Sequence, residues 1–310
     1  MVTTTTAAPV DEFDALEKHE VLIIGFVYLA VPFVLLCNYS LYFVITLGSK
    51  EFRALQSIRL MLCLSVLDYT QLLCHFISGF LTLFGSINTN YPYLCKFIGG
   101  VLNSAWVGLF PMSVVVAIDR LLVVRKATNS DDGFPIPIKI GLTISVVYCV
   151  GFLICLATFA EVTYSPNDGA WGYGSDHGSV VMSDIEFVVS VACIVTTFVI
   201  YLLIIASIYK MKQGVSMRHG TEMQLFANAT ILFVILVTLL TCWHYYQLFL
   251  PDTLWTVFAI NVYWMLYCGA MPFLSILFTR STRMSYLRLL RLKPAQRSTV
   301  SIIRSKSMVR

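Results

Sequence analysis

The sequence predicts an all-α membrane protein: a seven-transmembrane helix bundle with its N-terminus outside, its C-terminus cytoplasmic and a short amphipathic helix after the seventh span. Three observations carry that prediction. The 310 residues are 58% apolar and 12% charged, with a mean hydropathy of +0.79, far too apolar for a soluble chain of this length. Seven apolar stretches each reach the ~20 residues that a helix needs to cross ~30 Å of hydrocarbon. Of the 21 Lys and Arg residues, 19 fall in every second gap between those stretches. Cationic loops stay on the cytoplasmic side of a membrane, so the gap charges set the orientation.

Residues 1–20 are polar and acidic, with Lys18 set against Asp11, Glu12, Asp14, Glu17 and Glu20, and form an outer N-terminal segment. The first span, 21–47, is too long for the apolar core of a cleavable signal and acts as its own anchor. Lys50, Arg53 and Arg59 lead into the second span, 58–84; Lys96 is the one cation before the third, 97–124. Arg120, Arg125, Lys126 and Lys139 mark the next inner gap, before the fourth span, 138–160. The long gap 161–184 has no Lys or Arg and precedes the fifth span, 185–209. Lys210, Lys212 and Arg218 then lead to the sixth, 223–250, and a cation-free gap leads to the seventh, 254–278.

With its juxtamembrane helix the bundle covers 21–292. In the run from Arg280 to Arg291, cations alternate with Met284, Leu287 and Leu290 on one stripe, the spacing of a helix lying on an anionic lipid leaflet. A basic tail, 293–310, follows, with Ser298, Thr299, Ser301, Ser305 and Ser307 placed where phosphorylation would weaken leaflet binding.

Within the spans a few residues stand out. Asp68 lies mid-span in the second helix, where an ionisable group costs roughly 2.5–3.5 kcal/mol to insert, so it should face the bundle interior. It reads as the one carboxylate deep in the membrane. Asp119 and Arg120 close the inner end of the third span; positive-inside topology alone supplies an Arg there, but the adjacent acid makes a releasable ion pair, with Glu222 as a second restraint. Asn103, Trp106 and Phe110 share one face of span three, Trp243, Tyr246, Gln247 and Leu250 one face of span six, and Asn261 and Trp264 lie at a matching depth in span seven. Apolar walls with a few polar groups suit a small-molecule pocket between helices, though packing and interfacial aromatic belts account for such residues too.

Eight of nine cysteines lie within spans as small apolar side chains, and Cys95 alone is on the outer side, so no outer disulfide is apparent. The sequons at Asn38 and Asn228 fall inside spans, beyond a transferase. His75 and His244 have no carboxylate at metal-ligand spacing, so no metal or cofactor is expected and each reads as a hydrogen-bonded packing residue. No catalytic constellation and no nucleic-acid partner is indicated.

The order Asn38, Leu64 with Asp68, Cys95, Asp119-Arg120, Cys242-Trp243 and Pro272 resembles that of rhodopsin-like G-protein-coupled receptors, more narrowly the nematode serpentine chemoreceptors, across the whole bundle. The run Tyr91-Pro92-Tyr93-Leu94-Cys95, followed by Gly100, Trp106 and Ala117-Ile118-Asp119-Arg120, is most similar to the Srt class, with Srx as a neighbour. The resemblance implies a receptor of the plasma membrane, in sensory cilia of neurons, that binds a small outer ligand and activates a heterotrimeric G protein through Arg120. Three departures accompany it. The gap 161–184 lacks the Cys that usually pairs with the one before span three, Tyr245 stands where span six usually has Pro, and span seven keeps Pro272 but loses its usual Asn and Tyr. No Lys occurs between Lys212 and Lys293, which excludes a retinal Schiff base, and Leu102 stands where amine receptors of this class carry an Asp, so a mostly neutral ligand is expected. The competing class is a seven-span small-solute transporter or channel, often built from internal repeats with broken helices at the midplane; no repeat relates the first and last three spans.

Overall fold

The computed structural model describes residues 18–49, 56–125, 134–211, 220–278 and 280–289. Seven helices among them are long and apolar enough to cross a membrane. They are α1 (Lys18–Gly48), α2 (Gln56–Leu83), α3 (Pro92–Val124), α4 (Ile136–Thr158), α5 (His177–Met211), α6 (Gly220–Tyr245) and α7 (Leu254–Phe278), and a ten-residue helix, α8 (Arg280–Leu289), follows. The chain is a multi-pass membrane protein, since only segments that satisfy their own backbone hydrogen bonds can cross hydrocarbon.

Helices α3 and α5 start before the apolar stretches that announce them, because backbone hydrogen bonding begins where hydropathy is still low. Helix α5 starts eight residues before the apolar run at 185, where Asp176 serves as its N-cap. Its carboxylate accepts the Ser179 N–H at 3.0 Å and the Ser179 hydroxyl at 2.6 Å. Those donors hold the Asp176 carboxyl below its ordinary range. Helix α3 likewise starts early, with Pro92 in the first turn, where the missing N–H has no intrahelical acceptor to lose.

Helix α3 is the central column. Its residues 102–110 are all buried, which a helix apolar on every side requires. Helix α4 shows the opposite pattern: Ile138, Ser145, Phe152 and Leu156 form its only buried stripe, while Ile140, Ile144, Val147 and Ile154 face outward onto the lipid.

The gap 161–184 departs from the all-α expectation. It folds into an antiparallel hairpin of β1 (Val162–Ser165) and β2 (Ala170–Tyr173), with Val162 opposite Tyr173 and Ser165 opposite Ala170. Pro166, Asn167, Asp168 and Gly169 make the turn, and Gly169 takes a positive φ of 59° that a side chain would resist. Strand β1 crosses α3 at Gly99, where a Cβ would come within 2.0 Å of the Val162 carbonyl oxygen.

Hydrogen bonds seat the hairpin on the bundle. Trp171 Nε1 donates to Ser78 Oγ at 2.7 Å, Tyr28 OH donates to the Gly169 carbonyl at 2.8 Å, and the Tyr164 and Thr82 hydroxyls pair. Burial lifts the Tyr164 phenol above its ordinary pKa, keeping it a neutral hydroxyl. Cys95 Sγ donates to Asn88 Oδ1 at 3.2 Å, and all nine cysteines are unpaired thiols. The hairpin that this fold commonly ties to span three by a disulfide is held here by close packing and hydrogen bonds.

Helix α8 is anchored by a different stripe from the one its sequence suggests. Thr282 and Tyr286 are the buried residues, and Tyr286 OH donates to the Asn38 carbonyl at 3.3 Å. Met284 and Leu287 are only half-buried, Arg283 and Arg288 are exposed, and Leu290 lies outside the described residues. An aromatic ring with a polar tip can pack against α1 and still find an acceptor there, which a Leu stripe cannot.

Gly99→Ala is expected to destabilise the folded protein by about 1–3 kcal/mol through overpacking against β1. Gly100→Ala, whose Cβ would meet its nearest neighbour at 3.5 Å, should be tolerated. Thermal unfolding of the purified protein distinguishes the two. Cys95→Ser should leave the melting temperature unchanged and insensitive to reductant; a loss of stability on reduction would show that a disulfide forms.

Candidate functional site

At the hairpin end the helices line a small cavity of about 80 Å³, well below the roughly 300–1,000 Å³ typical of ligand pockets. Helix α3 contributes Leu102, Asn103 and Trp106, α5 contributes Glu186, α6 Trp243 and α7 Trp264; Val162, Trp171, Gly172 and Tyr173 of the hairpin close it. Trp264 is the hub of its floor. Its ring lies 5.0 Å from Trp106, 5.2 Å from Trp243 and 4.7 Å from His75, and its Nε1 donates to Gln71 Oε1 at 2.8 Å.

The cavity brings together Asn103, Trp106, Trp243 and Trp264 from the pattern read in the sequence. Phe110 sits one turn below, edge-on to Trp106 at 5.1 Å and outside the lining. Asn261 is buried but its Nδ2 donates within its own helix to the Val257 carbonyl at 2.9 Å. Tyr246 and Gln247 lie elsewhere: α6 ends at Tyr245, and the 3₁₀ turn Tyr246–Leu248 points both side chains to Asp252, at 2.7 and 3.1 Å. The periodicity that placed them on the pocket face stops with the α-helix.

Glu186 is the residue that sequence reasoning missed. It is 2% exposed, Trp106 Nε1 donates to its Oε1 at 2.7 Å, and Tyr173 OH donates to its Oε2. Asp68 is therefore not alone as a deep carboxylate. Starting the fifth span at 185 put Glu186 on the rim; starting it at the Asp176 cap puts Glu186 nine residues, about 14 Å, along the helix. Trp171 and Tyr173 were equally unassigned, though Pro-Asn-Asp-Gly between two short runs rich in Val, Thr, Tyr and Trp is a hairpin signal.

Deeper in the bundle Asp68 is buried and accepts a hydrogen bond from Tyr39 OH at 3.1 Å, so its partner in span one is Tyr39, and Asn38 turns to α8 instead. His75 makes no hydrogen bond at either ring nitrogen among the described residues; its contact is the Trp264 ring, contrary to the reading of a hydrogen-bonded histidine.

At the opposite end Asp119 and Arg120 are 0% and 2% exposed and paired at 3.2 Å. Asp119 also accepts hydrogen bonds from Gln56 Nε2 at 2.6 Å and Ser57 Oγ at 3.0 Å, both from the first turn of α2. Pro272 is buried inside α7. Glu222 lies in the first turn of α6, and its side chain is outside the described residues. Between the two ends, Met61, Leu109, Val116, Tyr201, Phe233 and Tyr267 surround a second, apolar cavity.

A central helix thus meets a hairpin-lidded cavity at one end and a buried acid–arginine pair at the other, within a bundle of seven membrane-crossing helices. The fold is similar to the crystal structure of squid rhodopsin, with a TM-score of 0.67 at 14% identity, covering 89% of this chain and 82% of that one. No curated protein matches the chain. The family described as serpentine type 7TM GPCR chemoreceptor Srt matches residues 8–299, and the chain belongs to that family. It is a family of receptors, not of enzymes.

Trp264→Phe should keep the ring packing but leave Gln71 Oε1 buried without its donor. The expected cost is about 1–3 kcal/mol in a thermal-unfolding measurement, and adding Gln71→Leu should restore part of it.

Proposed function

We propose that this receptor is chemosensory in the plasma membrane, taking a small ligand from outside into the hairpin-end cavity and activating a heterotrimeric G protein from the other end. The charge asymmetry supports that orientation: the cation-free gap 161–184 folds over the cavity, while Arg125 lies beside the Asp119–Arg120 pair. Arg53, Lys126 and Lys212, which also belong to the inner face by sequence, are outside the described residues. Sensory cilia of neurons are the expected location for a chemoreceptor of this family. Family membership favours a receptor over a transporter or channel.

One observation carries the mechanism. Helix α2 touches both functional ends, through Gln71 and His75 at Trp264 and through Gln56 and Ser57 at Asp119. A ligand that moves Trp264 or Trp243 therefore pushes on the same rigid helix that clamps Asp119. Loosening that clamp frees Arg120, which is buried in the closed arrangement and joins the docking surface only when the pair opens. The apolar cavity around Tyr201 and Phe233 gives α5 and α6 room to repack as this happens. Helix α8, with Arg283 and Arg288 exposed beside the buried Tyr286, lies along the anionic inner leaflet.

With surface expression controlled, Arg120→Ala should abolish ligand-dependent G-protein activation in a heterologous cell; unchanged activation would overturn the role assigned to Arg120. The double variant Gln56→Leu, Ser57→Ala should raise basal signalling several-fold, since it removes two of the hydrogen bonds that hold Asp119 in the closed state.

A further inference from the structure

The chain has five tryptophans, and four of them, Trp106, Trp171, Trp243 and Trp264, line this one cavity with Glu186. Glu186 has donors on both oxygens, Trp106 Nε1 and Tyr173 OH, yet forms no ion pair with any described Lys, Arg or His. A carboxylate offers about four acceptor positions, and with Asn103 as a third side-chain donor beside it these contacts leave about one of them open. Burying such a group without a counter-charge is unfavourable, and the protein supplies none among its described residues.

The rings supply the other half of a recognition site. Indole is the strongest aromatic partner for a cation within about 6 Å of its face, and the rings of Trp106, Trp171, Trp243 and Trp264 all border the cavity that Glu186 lines. We propose that the cavity takes a ligand bearing a protonated or quaternary amine, its charge paired with Glu186 and enclosed by the tryptophan rings. This deepens, and rests on, the reading of the chain as a small-molecule receptor. Leu102 on α3 denies the ammonium an acid on that helix, and Glu186 supplies one from α5, reaching the same space across the cavity. The small size of the cavity, about 80 Å³, restricts the ligand to a small amine.

The test uses purified full-length receptor and pairs of probes of matched shape: choline against 3,3-dimethylbutan-1-ol, phenethylamine against 2-phenylethanol, and isoamylamine against isoamyl alcohol. Affinity is read from the concentration dependence of thermal stabilisation, which needs no G protein. At least one amine should stabilise the receptor at millimolar concentration or below, at least about 10-fold more potently than its alcohol. Glu186→Gln, which keeps an acceptor for Trp106 and removes the charge, should weaken that amine at least about 30-fold and leave the alcohol unchanged. Trp243→Leu should weaken the amine about 3- to 10-fold, which keeps the proposal testable if the Glu186 variant fails to fold.

Equal affinity for amine and alcohol, a preference for the alcohols, or no stabilisation by any of the three amines would overturn the proposal and leave the receptor reading standing. Amine binding that depends on Glu186 but evokes no G-protein response would do the reverse, supporting the cation site and removing the proposed coupling.

Discussion

The constraint on which the rest of the structure depends is that α3 has no free face. From Leu102 to Phe110 every residue is buried, so each neighbouring helix and the hairpin must fit a surface that offers no lipid contact and little slack. Small residues make that fit possible, as they do wherever helices pack closely in hydrocarbon. Gly99 admits β1, and Ser104 receives the Cys149 thiol at its carbonyl at 3.1 Å. The same column carries Trp106 in the cavity and Asp119 with Arg120 at the far end. Because 102–110 is packed on every side, a rearrangement at either end is felt by the helices around α3.

Helix α2 supplies the polar counterpart. Asp68, Gln71, His75, Ser78 and Thr82 recur at three- and four-residue intervals, one stripe of a helix facing the bundle. Each is engaged by an aromatic residue from elsewhere: Tyr39 at Asp68, Trp264 at Gln71 and His75, Trp171 at Ser78, Tyr164 at Thr82. In a medium without water a polar side chain must find its partner in the protein, so this stripe selects which faces of α1 and α7 and which side of the hairpin meet α2. Ser57, three turns before Asp68, extends the zipper to Asp119. The hairpin thus needs no cysteine: Trp171, Tyr164, Tyr28 and the close approach at Gly99 perform the seating that a disulfide performs elsewhere.

Some of the site was legible and some was not, for definite reasons. Trp106, Trp243 and Trp264 stood out because large aromatics at helical spacing are visible without coordinates. Tyr246 and Gln247 were misplaced because a period of 3.6 was carried past the point where α6 tightens into a 3₁₀ turn. Glu186 was overlooked because hydropathy marks where a helix becomes greasy, whereas its start was set by the Asp176 cap eight residues earlier. The polar stripe of α2 was present in the sequence throughout, but Asp68 and His75 were weighed singly, and the three- and four-residue spacing that joins them to Gln71, Ser78 and Thr82 was not.

By itself, the sequence determined the class of the protein. Seven apolar runs, alternating cationic gaps and an ordered set of marker residues suffice for that, because membrane insertion is decided locally by the composition of each segment. Only the tertiary structure decided how the markers are used. It set Tyr39 rather than Asn38 against Asp68, Gln56 and Ser57 against Asp119, and Tyr286 against α1. It also brought Glu186 to the tryptophans. Those pairings join residues 29 to 248 positions apart in the chain, and no local rule of composition or spacing reaches that far.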